Sequence, residues 1–379
     1  MRNTAYSVAL LLTLLFVIPG GVQAMAPVPS SVPEYSWLED SAHVMDVENV
    51  QALAGTEWTH FDTRQALNLG FSNSAFWLRI VIPRLARDDN HVLEIGYPLL
   101  DVVNMFWTHN GQLTERYETG DSRPFNNRPV VHRNFVFPVP FSADSVIAYI
   151  KIESQGPIQI PIKFVSSKEF VANEQLAYGW QAMFFGIIVA LALYNLFLFL
   201  IIRDQTYLWY VFAVLTLGLV QLDLHGVLFQ WFWPDQPGVN RYFTILIIGL
   251  SIIAAAMFAI WLLNVRRYSP RGYQLLKLLI FCSAVSMVYG FFGSYQVSIV
   301  LVTAIAAIGA PSLWLLSLFI WRRGLKLALF YALAWTPLLF GNLLLAISKM
   351  GYMPRTIISE SGPQIGVAIE AILWSFALA

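Results

Sequence analysis

The sequence predicts an exported all-β domain, a jelly roll or β-sandwich, followed by an all-α bundle of seven transmembrane helices. Three observations carry that prediction. Hydrophobic residues make up 57% of the 379-residue chain and charged residues only 12%, against roughly 25% charged in an ordinary soluble domain. The formal net charge of zero conceals a division: residues 25–178 hold 11 Lys/Arg and 18 Asp/Glu, whereas residues 179–379 hold 11 and 5. The apolar residues change pattern at the same boundary, from period-two alternation to long unbroken runs. Such a composition excludes a single soluble enzyme fold, and the lack of a basic soluble face excludes a nucleic-acid partner. The one cysteine, Cys282, lies in an apolar run, so no intrachain disulfide forms.

Residues 1–24 read as a signal peptide. Arg2 supplies the positive start, Val8 to Ile18 an apolar run too short to span a bilayer, and Val22, Gln23 and Ala24 the cleavage site. Residues 25–170 then read as an exported β-sandwich domain, as a periplasmic one would be. Strands are expected at 75–82, 91–95, 102–108, 134–139, 146–152 and 159–164, punctuated by Pro83, Gly96, Pro98 and the hairpin signal Asn110-Gly111. Nucleophile elbows, zinc-ligand spacings and phosphate loops are absent from its sequence. Neither a catalytic residue, a metal nor a cofactor is therefore expected. Asp88 and Asp89 read as a solvated loop rather than a metal corner. Trp77 and Arg79 share one strand face, and with Tyr97 they are candidates to bind a planar or polyhydroxy ligand. With Trp77 buried, Arg79 is expected to pair with a carboxylate such as Asp101.

Residues 171–379 form the membrane region, with apolar runs at 179–202, 207–231, 242–263, 275–293, 297–320, 327–347 and 364–379. Crossing a bilayer core takes about 20 such residues. With residue 170 outside, the inner loops carry eight Lys/Arg and the outer loops three, namely Arg241, Lys349 and Arg355. The positive-inside rule and the signal peptide thus agree on an outer N-terminus and a cytoplasmic C-terminus. Asp223, His225 and Glu370 are the intramembrane polar candidates, expected at comparable depth in the outer half, where spans two and seven would share a polar contact. Gly226 beside them is expected to let helices approach closely.

Several stretches carry a resemblance. They are residues 70–79, 92–101, 119–125 with Arg128, and 153–161 in the exported part. In the membrane part they are residues 192–198, 203–210, 226–234 and 364–379. Together the chain resembles the bacterial seven-transmembrane receptors with diverse intracellular signalling modules, including their extracellular β-domain. The resemblance adds Asp121 and Arg128 to Tyr97 and Asp101 as candidate ligand-binding residues. It implies a jelly-roll sensor similar to carbohydrate-binding modules. The signal would pass through the spans to a histidine kinase or diguanylate cyclase, linking the chain to two-component or cyclic di-GMP control of biofilm. Partners so implied are a small-molecule or carbohydrate ligand, the bilayer of a bacterial inner membrane, downstream signalling proteins and a second copy in a homodimer. The residues present are not expected to be an enzyme, because the output module would follow Ala379. The competing expectation is a transporter or channel with an exported accessory domain, supported by Pro311 and Pro337 as span breakers.

Overall fold

A computed structural model describes residues 33–62, 66–83, 90–141, 145–349, 352–353 and 357–378. The signal peptide, Asp88, Asp89 and Arg355 lie outside the described residues. Among the described residues the alternating segments form eleven strands: β1 (Glu34–Asp40), β2 (Thr59–His60), β3 (Leu67–Phe71), β4 (Ala75–Ile82), β5 (His91–Ile95), β6 (Val102–His109), β7 (Gln112–Thr119), β8 (Phe135–Pro138), β9 (Val146–Glu153), β10 (Pro157–Ile160) and β11 (Ile162–Ser166). They make a six-stranded sheet in the order β2-β1-β4-β9-β6-β7, a three-stranded sheet β11-β5-β8 and a pair β10-β3, all antiparallel. Asn110 and Gly111 both have positive φ and close the β6–β7 hairpin, the geometry a two-residue turn demands.

Alternation decides which side chains enter the core. Phe76, Leu78, Ile80 and Ile82 of β4 point between the sheets, where they join Met105, Trp107, Ile150, Leu93, Phe135 and Ile160. The opposite face of β4 carries Trp77, which packs with Phe106 and Tyr149 beneath Val50 and Trp58. Val50 belongs to the short helix α1 (Val47–Ala52), whose Asp46 cap accepts the Asn49 amide at 2.8 Å. The large sheet is therefore apolar on both sides, one facing its partner sheets and one facing α1.

The first apolar run begins earlier than expected. Helix α2 (Ser167–Ile202) follows β11 directly and is capped by Ser166, whose hydroxyl accepts the Glu169 amide at 3.2 Å. Residues 167–178, ahead of the first expected run at 179, are helical too, and the 36-residue helix is about 54 Å long at 1.5 Å per residue. The second run is not one span. Helix α3 (Gln205–Leu224) stops at His225, Gly226 turns left-handed at φ +71°, and a short α4 (Val227–Phe232) follows. The remaining helices are α5 (Pro237–Leu262), the short α6 (Val265–Tyr268), α7 (Pro270–Phe292), α8 (Tyr295–Arg322), α9 (Leu327–Lys349) and α10 (Ile357–Leu378). Among the described residues six helices, α2, α3, α5, α7, α8 and α9, are long and apolar enough to cross a membrane. Helix α10 adds a seventh long apolar element of 22 residues.

An aromatic cluster from four helices fills the bundle centre. Tyr331 stacks on Trp374 at 5.6 Å, and Phe258 and Trp335 meet the same indole at 4.7 and 6.0 Å. The Tyr210 hydroxyl donates to the Ala371 carbonyl at 2.8 Å. Small residues bring α9 and α10 together: a Cβ on Gly366 would fall 2.6 Å from Leu338 Cα. Pro311, Pro337 and Pro363 sit inside continuous helices. The span breaks that a transporter reading requires do not occur at Pro311 or Pro337.

Candidate functional site at the junction of sandwich and bundle

The sandwich rests on the helix ends that the charge count assigns to the outside, and three groups of contacts fix it there. The first involves the start of α2, where Glu174 Oε2 receives His132 Nε2 at 2.8 Å and Arg133 Nη2 at 3.3 Å. The second involves the end of α9: the Ser348 carbonyl accepts from Gln159 Nε2 at 3.2 Å and from the Asn68 side-chain amide. The third and largest surrounds α4 and the start of α5.

That third region is built on the β7–β8 loop. Gly120, at φ +143°, lets the chain fold back on the β5–β6 loop; a Cβ there would sit 2.0 Å from the Asp101 carbonyl. The Asp121 amide then bonds to the Leu100 carbonyl at 2.8 Å, and the Ser122 amide to the Asp101 carbonyl at 3.2 Å. Beyond this turn the loop reaches the bundle. The Phe125 amide donates to the Pro234 carbonyl at 2.6 Å, and Asn126 Nδ2 to Asp235 Oδ1 at 2.7 Å. The Phe125 ring meets Phe229 of α4 edge-on at 5.6 Å. Gly226 receives the sandwich from the other side, with Pro98 so near that a Cβ would lie 2.7 Å from Pro98 Cβ. The close approach expected at Gly226 is thus to the exported domain rather than to another helix.

Charged groups converge between these contacts. Asp101 is buried; its Oδ2 accepts from Ser154 Oγ at 2.9 Å and the Gln155 amide at 2.6 Å, and its Oδ1 from Arg241 Nη2 of α5 at 2.6 Å. The pairing expected between Asp101 and Arg79 is corrected: Asp101 belongs to the bundle's arginine, and Arg79 lies in register with Ser36 and Tyr149 in the large sheet. Arg128 is buried with its guanidinium 4.4 Å from the Phe125 ring, 4.3 Å from Phe135 and 6.0 Å from Phe229. Its Nη1 donates to the His132 carbonyl at 2.9 Å and to the Arg133 carbonyl. Burial draws Arg128 down to about 9, opposed by the nearby Asp121 charge. Asp121 carries a buried Oδ1 with no hydrogen-bond partner among the described residues. Its pKa rises from 3.8 to about 7, first because of desolvation and next because of Asp101.

The sequence candidates therefore separate. Asp101, Asp121, Arg128 and Asp223 meet at the junction, with Asp223 close enough to act electrostatically on Asp121. Trp77 is 1% exposed in the layer under α1, and Tyr97 is buried in the sandwich core. His225 caps α3 and holds the Gln221 carbonyl at 2.7 Å. Glu370 does not share Asp223's depth. Its neighbour Ala371 bonds Tyr210, which precedes Asp223 by 13 residues in the same helix, about 20 Å along the axis. The seventh helix starts at Ile357 rather than at 364, so Glu370 sits 13 residues inside it. Both Glu370 carboxyl oxygens are buried there without a hydrogen bond among the described residues.

Arg241, Phe229, Glu174, Pro98 and Ser348 were not among the candidates, although the junction is built on them. Arg241 alone left a trace, as a positive charge in an outer loop where the positive-inside rule disfavours one.

A model of the family described as 7TM diverse intracellular signalling matches residues 177–379, more than half of the chain. The chain belongs to this family. A second model, described as 7TMR-DISM extracellular 2, matches residues 33–166 and ends where β11 gives way to α2. The family's seven-transmembrane and extracellular regions thus correspond to the bundle and the sandwich, and the chain is a membrane receptor with an exported sensing domain. No curated protein matches the chain.

Proposed function

We propose that this member of the 7TM diverse intracellular signalling family is a receptor whose sandwich perceives an extracytoplasmic signal and transmits it through the junction. The output would be a histidine kinase or diguanylate cyclase module reached through α10. The supporting observation is the set of contacts to outer helix ends at Glu174, Phe229, Pro234, Arg241 and Ser348. Helix α2 adds a continuous rod, so a tilt of the sandwich moves the first span without slack. A signal does this only if its affinity differs between two packings of the junction. In this reading residues 1–24 direct export, residues 25–170 sense from the periplasm of an inner-membrane protein, and the C-terminus is cytoplasmic. Kinase and cyclase outputs favour a homodimer. A carbohydrate-like or other small ligand remains the class implied by resemblance.

The test fuses the chain in phase to a diguanylate cyclase domain of known activity and compares it with an Asp101→Asn version. Cyclase activity is expected to change at least fivefold while membrane insertion stays equal. Equal activity in both would remove the junction from the signalling route.

A further inference from the structure

We infer that the junction binds one proton at Asp121, so that the chain reads extracytoplasmic acidity through the docking of its sandwich on its bundle. This inference rests on the receptor reading and names its ligand. Three carboxyl groups meet here, Asp101 and Asp121 from the sandwich and Asp223 from α3, opposed by two guanidiniums, Arg128 from the sandwich and Arg241 from α5. The Tyr295 side chain at the start of α8 completes the surroundings, with Arg241 5.5 Å from its ring. Neither arginine hydrogen-bonds Asp121, although Arg128 Nε and Nη2 and Arg241 Nε are also without a partner among the described residues. Arg241 Nη2 is taken by Asp101, and Arg128 Nη1 by two backbone carbonyls while its face lies on phenylalanine rings.

One carboxylate is thus in excess, and Asp121 is the one whose buried oxygen has no hydrogen bond among the described residues. A carboxylate so placed is more stable neutral, because ionisation adds a charge beside Asp101 in a half-buried seam. Opening the seam exposes Asp121 to water and moves it towards its ordinary value of 3.8, with Asp101 and Arg128 of the sandwich still beside it, whereas docking holds it near 7. The docked carboxyl therefore binds the proton more tightly than the open one. Docking is fully supported below about pH 4 and loses that support as pH rises through about 7. Between those limits the docked-to-open ratio falls by as much as tenfold per pH unit.

The experiment uses the full chain with Cys282→Ser in lipid nanodiscs. Spin labels replace two exposed residues, Val44 in the sandwich and Phe292 at the outer end of α7, and the interlabel distance is followed from pH 5 to pH 8.5. A single docked distance at pH 5 is expected, joined by a longer one with a midpoint near pH 7. Asp121→Asn, which keeps the shape and cannot ionise, is expected to stay docked throughout. Asp121→Ala, which removes the carboxyl altogether, should give the same flat profile. A wild-type distance that ignores pH overturns the inference, as does an unchanged midpoint in either variant. If Asp101→Asn still alters the cyclase fusion while the distance ignores pH, the receptor reading stands and the proton is not its signal.

Discussion

Arg241→Ala is expected to loosen the docking of the sandwich on the bundle. The substitution leaves Asp101 in place with its Oδ1 facing a vacated guanidinium site, while Ser154 and Gln155 continue to hold its Oδ2. Truncating one member of a buried, hydrogen-bonded ion pair costs roughly 2–5 kcal/mol. The Arg241 side chain retains 28% of its exposure, so the lower end, about 2 kcal/mol, is the expected value. That corresponds to roughly a thirtyfold fall in the docked-to-open ratio. Hydrogen exchange on the full chain reads it directly. The Phe125 amide, bonded to Pro234 across the seam, should lose protection about thirtyfold, while amides of β4 and β9 should not change. Arg241→Lys should fall between, because a lysine keeps the charge but loses the planar fork and its packing over Tyr295.

Gly226→Val is the second large effect, and it acts through shape rather than charge. The residue combines a left-handed backbone with the close approach of Pro98. A β-branched side chain is strained at that φ, and its Cβ would overlap the proline unless sandwich and bundle separate. The two contributions together amount to on the order of 2–4 kcal/mol. Gly238→Val in α5 is the control, since nothing lies within 4 Å of a Cβ built there. Thermal unfolding of detergent-solubilised protein should show a separated, lower transition for the sandwich in Gly226→Val alone. One cooperative transition in both variants would mean that Pro98 yields without cost.

Much of the fold is readable from the chain because burial writes a pattern. Strand β4 is legible since Phe76, Leu78, Ile80 and Ile82 alternate towards one core. Strand β7 escapes, because Gln112–Thr119 is an edge strand whose first five residues are exposed and carry no apolar alternation. The split of the last expected strand into β10 and β11 follows from Pro161, which pairs in neither sheet. Helix α2 reaches back to Ser167 through residues too polar to count as a span; only a capping serine three residues before Glu169 signals its start. The junction was legible in halves. Asp101, Asp121, Arg128 and Asp223 stand out as polar residues in unusual settings. Arg241, the bundle residue that bonds Asp101, lies 140 positions from it, and no local pattern encodes a contact across that distance. Trp77 misleads for a related reason. An indole on the outer face of a strand resembles a ligand platform until α1 is seen to cover it.

The central claim is that the sandwich is docked on the outer helix ends and that this seam carries the signal. Cross-linking tests it most directly. Asn126→Cys and Asp235→Cys, introduced together with Cys282→Ser, place thiols where two side chains now share a 2.7 Å hydrogen bond. In native membranes a short thiol cross-linker should join them nearly completely, and locking the seam should fix the output of the cyclase fusion at one level. Absence of the cross-link, in protein whose β4 and β9 amides remain protected, would contradict the docked arrangement and the account built on it.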